Sequence, residues 1–512
     1  MRKMSVSHNK RLAINMVTNI VSYSSTLLIS FVLTPYLINV LGREAYSFYP
    51  IANNIISYMA ILTNALNTMA SRYITIEITK KHSAKANAYF SSVFFANVFI
   101  SVPIAILMFA IILFANRVLS IPVNILGSVR LLFSFTFSSM LINLISSVFG
   151  VATFATNRID LRSLRELVMS IVRLILLYLL YRFFKPTIAY VGLVALLVAL
   201  LNLIFQATYT KILLPQIHVK RTNFKWNYVW EIVTSGLWNS LDSLGNILLV
   251  STSLLLANIF YGADQAGQYA IVQTVPNFIN GVISMLVGVF YPVIMIRFAE
   301  NDTVGLLREV TSSQRIVGWL TTSVIGCFIG LSADFFNLWV PGEDTHSLVL
   351  LSTITIIPHI LIGCVWTLSN LNIVMNKIKI PAIYLLASGL VNMVLTIGGY
   401  VLFHPGIWFV PAISSIIQAI WVGVFIPSYS SKVLGISEKI FLSPMMKGII
   451  GSVIGWIVTS VSSNFIHPSG WIQFLLIGSI SGGVTLVINA IIMFPWGALV
   501  EIPKKLLRNI NS

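Results

Sequence analysis

The chain has 512 residues, of which 57% are hydrophobic and only 9% charged, with a net charge of +17. Soluble domains carry about a quarter charged residues, so a mean hydropathy of +0.89 excludes a water-soluble globular protein. No soluble segment is longer than a short loop, which excludes an ATP-driven pump unless a separate chain supplies the ATPase.

Runs of about 18 or more apolar residues are read as membrane spans, and fourteen occur: 12–41, 46–70, 88–114, 129–155, 166–184, 187–209, 228–260, 268–296, 312–340, 347–375, 381–402, 406–428, 446–466 and 471–499. This predicts an all-α polytopic membrane protein. The opening MRKMSVSHNKRLA resembles a signal-peptide n-region, but the apolar run behind it is too long and lacks a small-residue cleavage site, so it reads as a retained first span. Cys327 and Cys364 both fall inside spans, which argues for neither a disulfide nor a metal site.

The basic residues are unevenly placed. With fourteen crossings and an N-terminus in the cytoplasm, 26 of the Lys and Arg residues fall in inside segments and five outside (Arg43, Arg117, Arg130, Arg182, Lys185), leaving Arg173 within a span. The positive-inside rule accounts for this imbalance without any nucleic-acid partner. Both termini are therefore expected in the cytoplasm, including a tail at 501–512.

The sequence repeats weakly. At an offset of 220, INVLGREAYSFYPI (38–51) falls on NIFYGADQAGQYAI (258–271), matching Gly42 to Gly262, Tyr49 to Tyr269 and Ile51 to Ile271. At an offset of 219, TNRI (156–159) falls on MNKI (375–378). Six spans separate the matching elements, an even number, so both units have the same topology, as in transporters built from parallel repeats. This predicts two pseudo-symmetric six-helix lobes around a central cleft, residues 1–218 and 228–430, with an extra helix pair at 440–500.

Polar stripes follow the repeat. In the seventh span, Ser235, Asn239, Asp242 and Asn246 share one helix face, and the first span matches them with Asn15, Asn19, Ser22 and Thr26. In the eighth, Gln273, Asn277, Asn280 and Ser284 form a stripe, matched in the second by Asn53, Ser57, Ala60 and Asn64, with Asn67 continuing the face. Amides facing lipid are costly, so these faces are expected to line a watered cavity; each single Asn could instead bond a neighbouring helix. Asp242, halfway along its span, is read as an ion-coupling or cavity-polarity residue, with a protonated structural hydrogen bond as the alternative. Arg173 either snorkels to the interface or offers a guanidinium to an anion. His359 shares a face with Gly363, Trp366 and Asn370 and reads as a satisfied buried histidine, with a group titrating near neutral pH as the alternative; Pro358 and Pro276 read as bends. No GxxxxGK[ST], HExxH or CxxC is present.

The lobes, the extra pair, LGREAYSFYPIANNI (41–55), SRYITIEITKKHSAKANAYFSSVF (71–94) and ATNRIDLRSL (155–164) together resemble polysaccharide flippases of the multidrug/oligosaccharidyl-lipid/polysaccharide superfamily. The resemblance implies a bacterial inner-membrane protein that moves a polyprenyl-pyrophosphate-linked oligosaccharide from the cytoplasmic to the outer leaflet by alternating access. Membrane lipids and a downstream polysaccharide polymerase would be its partners. It implies no cofactor beyond a coupling H⁺ or Na⁺. The amide stripes suit sugar hydroxyls, and Arg173, Arg11, Arg72 and Lys80 are the candidates for the pyrophosphate. Relatives that flip the peptidoglycan precursor carry charged residues on the first helix; Asn15, Asn19, Ser22 and Thr26 depart from this and favour an O-unit, capsule or teichoic-type glycan. A proton- or sodium-coupled small-molecule antiporter of the same superfamily and a membrane polysaccharide polymerase are the alternatives, the latter lacking the large external loop such enzymes display.

Overall fold

A computed structural model describes the backbone of residues 2–465 and 468–494, and the side chains of that range except residues 2–17, 19, 20, 62, 64 and 68. Arg11, Asn15, Asn19, Asn64 and the tail at 501–512 therefore lie outside the described side chains and residues. Among the described residues there is no strand. In a bilayer the backbone must satisfy its own hydrogen bonds, and an apolar chain does so as helices.

The helices are α1 (Arg2–Leu41), α2 (Arg43–Thr79), α3 (Ser83–Val118), α4 (Leu126–Ser146), α5 (Val151–Ala155), α6 (Ile159–Phe183), α7 (Ala189–Leu213), α8 (Trp226–Asn246), α9 (Thr252–Ala299), α10 (Thr303–Trp339), α11 (Thr345–Val374), α12 (Lys379–Phe403), α13 (Phe409–Ile420), α14 (Ile426–Leu434), α15 (Lys439–Phe465) and α16 (Trp471–Met493). Eleven helical segments are long and apolar enough to cross a membrane. One of them, 226–299, breaks at Gly262 into two rods. α2 and α6 fall outside the eleven: the apolar run of α2 is diluted by Asn53, Asn54, Asn64 and Asn67, and that of α6 holds Glu166, Arg173 and Arg182. Counting both rods and these two helices recovers the fourteen spans read from hydropathy.

The backbone carries the repeat more clearly than the side chains do. Gly42 (φ 80°, ψ 157°) and Gly262 (φ 83°, ψ 175°) turn the first and seventh spans into the next by the same conformation, in a region open essentially to glycine alone. Lys81 and Asn301, 220 residues apart, both have positive φ, as do Asn157 and Asn376, 219 apart. Each of these four ends its helix with the same pair of bonds, for example His82 N–H to the Glu77 carbonyl and Asp302 N–H to the Arg297 carbonyl, both 3.0 Å. This is the Schellman ending, in which a left-handed residue lets the chain satisfy its last carbonyls.

The chain forms two compact units, residues 1–270 and 271–512. In the first, α8 lies along α2 and α1 along α6. A Cβ on Gly236 of α8 would stand 2.5 Å from the Ala65 carbonyl oxygen of α2, so only glycine allows this spacing; membrane helices associate through such small-residue faces. At the end bearing the basic loops, Leu66, Ile74, Phe90, Val93, Leu214 and Ile232 form a buried cluster. Over it the 214–225 linker is pinned to α3, through Asn87 to the Gln216 carbonyl (2.9 Å) and Lys225 N–H to Ser92 (2.9 Å).

In the second unit the extra pair is fastened to α10. Gly326 and Gly330 sit directly against the α15 backbone at Ser452 and Ser460. Asn489 of α16 donates to Ser323 at 2.6 Å, and the Trp319 indole donates to the Leu486 carbonyl at 2.8 Å. Large apolar side chains such as Ile106 and Val394 are two-thirds exposed, as a lipid-facing surface requires. Cys327 and Cys364 are free thiols, and His359 is buried.

Candidate functional site: a polar face on α8 and a caged arginine on α6

α8 divides into two faces. Val229, Ile232, Gly236 and Ser240 are buried against α2, Ser240 donating to the Ile61 carbonyl at 3.3 Å. The neighbouring face carries Ser235, Asn239, Asp242 and Asn246, and the structure leaves all but the half-buried Asn239 exposed. Sequence reading missed that Glu231, one turn earlier, belongs to the same face. Its carboxylate accepts from the Tyr89 hydroxyl at 2.8 Å, while Tyr73 and Ser235 share a hydroxyl contact of 2.9 Å. The face is thus tied to α2 and α3 at its first turns and open further along. Asp242 lies in the open part and has no hydrogen-bonding or ionic partner among the described residues.

Beyond Asn246 the helix widens into a π turn over Ile247–Ser251. π turns leave backbone carbonyls off the regular ladder and recur at functional sites. Here α2 compensates. Asn54 donates to the Ser251 carbonyl at 3.0 Å, and the Tyr58 hydroxyl meets Thr252, whose own hydroxyl reaches the Ile247 carbonyl at 3.1 Å. Neither Asn54 nor Tyr58 was singled out in the sequence, because a π turn has no periodicity signal.

On the other face of α2, Tyr49 meets Arg173 of α6. An Arg173 Nη donates to the Tyr49 hydroxyl, which Asn53 also approaches. The guanidinium carbon lies 5.4 Å from the Tyr49 ring centroid, within cation–π range. Arg173 Nε is buried with no hydrogen-bond partner among the described residues. The side chain therefore turns inward onto α2 and keeps a buried N–H unused. Ser57, also in the predicted stripe, bonds back to the Asn53 carbonyl at 3.0 Å. On α1, Thr26 bonds the Ser22 carbonyl and faces Ser170 of α6 at 3.4 Å.

The other basic candidates are at the basic-loop end. Arg72 and Lys80 are exposed. Glu77, only 8% exposed, accepts from His82 (3.0 Å) and pairs with Lys85 (3.5 Å). Burial pushes its carboxyl up, but His82, Lys85 and Lys80 outweigh this and hold it below the usual range. On α6, Arg162 pairs with Glu166 at 2.9 Å.

In the second unit, Asn277 and Ser284 of α9 are exposed while Gln273 and Asn280 are half-buried. The Asn280 side-chain oxygen has no partner among the described residues. No group of three or more His, Cys, Asp or Glu side chains converges among the described residues. The first unit thus offers an amide- and hydroxyl-rich helix face that carries the Asp242 carboxylate, and a caged guanidinium at Arg173, a set suited to polyol and anion contacts.

Comparison with known proteins gives three results. A family model described as "Polysaccharide biosynthesis protein" matches residues 12–296, more than half of the chain. A membrane protein of Bacillus subtilis, EpsK, described as uncharacterized, is 25% identical over 476 residues, covering 91% of this chain and 92% of its own. Among solved structures, an inward-facing multidrug resistance MATE family transporter of the MOP superfamily has a TM-score of 0.66 at 15% identity, covering 83% of this chain and 98% of its own. The lipid II flippase MurJ in an inward closed conformation scores 0.65 at 14% identity, covering 93% and 98%. At such identities these two likenesses establish the fold. The chain belongs to the polysaccharide biosynthesis protein family and has the fold of multidrug/oligosaccharidyl-lipid/polysaccharide superfamily transporters.

Proposed function

We propose that this protein is a flippase, not an enzyme, that carries a polyprenyl-pyrophosphate-linked oligosaccharide from the cytoplasmic to the outer leaflet of a bacterial plasma membrane for surface polysaccharide synthesis. The observation that carries the reading is the caged Arg173. An intramembrane cation marks a pathway for charge, and a guanidinium held on an aromatic ring with a spare N–H is a strong donor to phosphate oxygens. The amide face of α8 and the stripe of α9 supply donors and acceptors for sugar hydroxyls. The prenyl chain needs no protein pocket, because the bilayer solvates it.

Transport is by alternating access of the lobes 1–218 and 228–430, with both termini in the cytoplasm, as the charge distribution implies. A downstream polymerase would consume the exported unit. Coupling, where it occurs, uses H⁺ or Na⁺ at Asp242. A second reading, an ion-coupled small-molecule antiporter, is favoured by that same unpartnered carboxylate and by the fold shared with a multidrug transporter. Depletion of the protein followed by mass spectrometry of polyprenyl-linked saccharides, with a leaflet-accessibility label, tests the choice. The flippase reading expects one oligosaccharide-lipid to build up facing the cytoplasm; an unchanged lipid pool together with altered drug tolerance would select the antiporter.

A further inference from the structure

The two equivalent glycine corners meet. The Arg43 guanidinium, one residue past Gly42, grips the Asp264 carboxylate, two residues past Gly262, through Nε to Oδ1 at 2.5 Å and Nη2 to Oδ2 at 2.9 Å. Behind this pair the backbones touch: a Cβ on Gly267 would stand 2.6 Å from the Arg43 carbonyl oxygen. Beside it, Asn258 accepts from the Ser120 N–H at 3.0 Å, tying the turn after α3 to the same corner. From this we infer that the Arg43–Asp264 pair is a latch that keeps the Gly42–Gly262 end of the transport path shut.

Three features make it a latch and not a permanent weld. The pair joins the first repeat to the second, whereas the positions related to it by the repeat are Glu44 and Ala263, which cannot form an ion pair; the repeat therefore supplies no symmetric second copy of this bridge. Asp264 is 47% exposed and Arg43 28%, so water can resolvate both charges when they part, unlike a buried pair whose separation strands a charge. The pair also borders an open recess of about 620 Å³ lined by Glu44, Asn116, Arg117 and Tyr261, which gives the released guanidinium a second carboxylate, Glu44, to move to. The bidentate geometry makes the bridge stronger than an ordinary surface pair. The charge distribution assigns this end to the exterior, so the latch holds back release to the outer leaflet. This inference rests on the transport reading but on no particular substrate.

The test needs no substrate. In a background with Cys327→Ala and Cys364→Ala, a reporter thiol is placed by Asn246→Cys, and intact cells are treated with a membrane-impermeant maleimide. Arg43→Ala and Asp264→Ala should each raise the labelling rate about tenfold, the change that ~1.4 kcal/mol makes in an equilibrium. The swapped pair Arg43→Asp with Asp264→Arg should return it towards the starting rate. Labelling that is unchanged in both single variants, or that stays fast in the swapped pair, overturns the latch. Faster labelling without any lipid accumulating on depletion keeps the latch and removes only the oligosaccharide-lipid reading.

Discussion

Substitution of Gly236 by alanine tests whether α2 and α8 are held at glycine spacing. An added Cβ would lie 2.5 Å from the Ala65 carbonyl oxygen, 2.6 Å from its Cα and 2.9 Å from its carbonyl carbon. All three atoms are backbone, so no rotamer relieves the clash. Ordinary contact begins near 3.4 Å, and the helices must part by roughly 1 Å at this point. Two bonds nearby cannot survive that shift. Ser240 to the Ile61 carbonyl starts at 3.3 Å and Tyr73 to Ser235 at 2.9 Å, and both would pass the ~3.5 Å limit of a hydrogen bond. Overpacking of this kind costs about 1–3 kcal/mol.

The gain in helix propensity from Gly to Ala, about 1 kcal/mol, works the other way, so a matched control is needed. Gly288 of α9 is exposed and has nothing within 4 Å of a built Cβ; Gly288→Ala gains the propensity without the clash. The difference between the two variants therefore isolates the packing term. In purified detergent-solubilised protein, Gly236→Ala should unfold below Gly288→Ala by about 2–4 °C for each kcal/mol, and it should transport more slowly. Equal thermal midpoints for the two variants would refute the claim that α8 is seated on α2 through Gly236.

Two further substitutions address the site. Arg173→Lys keeps the charge but loses the planar fork and most of the stacking on Tyr49, so transport should fall by about tenfold or more, whereas Tyr49→Phe, which keeps the ring and loses one charge-assisted bond worth ~1.5–3 kcal/mol, should also impair transport; wild-type rates in both would remove Arg173 from the substrate path. Asp242→Asn should abolish the dependence of transport on the H⁺ or Na⁺ gradient in proteoliposomes while leaving the fold intact by size-exclusion profile; an unaltered gradient dependence would assign Asp242 to structure alone.

Much of the scaffold could be read before any coordinates. Hydropathy fixed the spans because lipid admits few ways to bury a backbone, and the faint repeat at Gly42/Gly262 and Asn157/Asn376 proved to be a repeat of backbone conformation. Those positions need a positive-φ backbone that few residues adopt readily, so residue type matches there across the repeat. The stripe on α8 was legible from its spacing for the same reason that Asp242 stood out: polar groups in lipid need a cause. What stayed hidden were pairings across the chain. Tyr49 meets Arg173 across 124 positions and Arg43 meets Asp264 across 221, and no local period reveals either. Glu231 was passed over because it stands at a span end, where a charge is unremarkable, and the π turn at 247–251 was invisible because it breaks the very periodicity used to find helices.

The central claim is that the protein moves a lipid-linked oligosaccharide, and the most direct measurement is a reconstituted one. The purified protein is placed in liposomes containing the oligosaccharide-lipid identified on depletion, and its exposure is followed with an impermeant sugar-specific label. Protein-dependent exchange between leaflets, weakened by Arg173→Lys, is the expected result. A substrate that stays in its starting leaflet at every gradient applied, while a small organic cation is carried, would contradict the account.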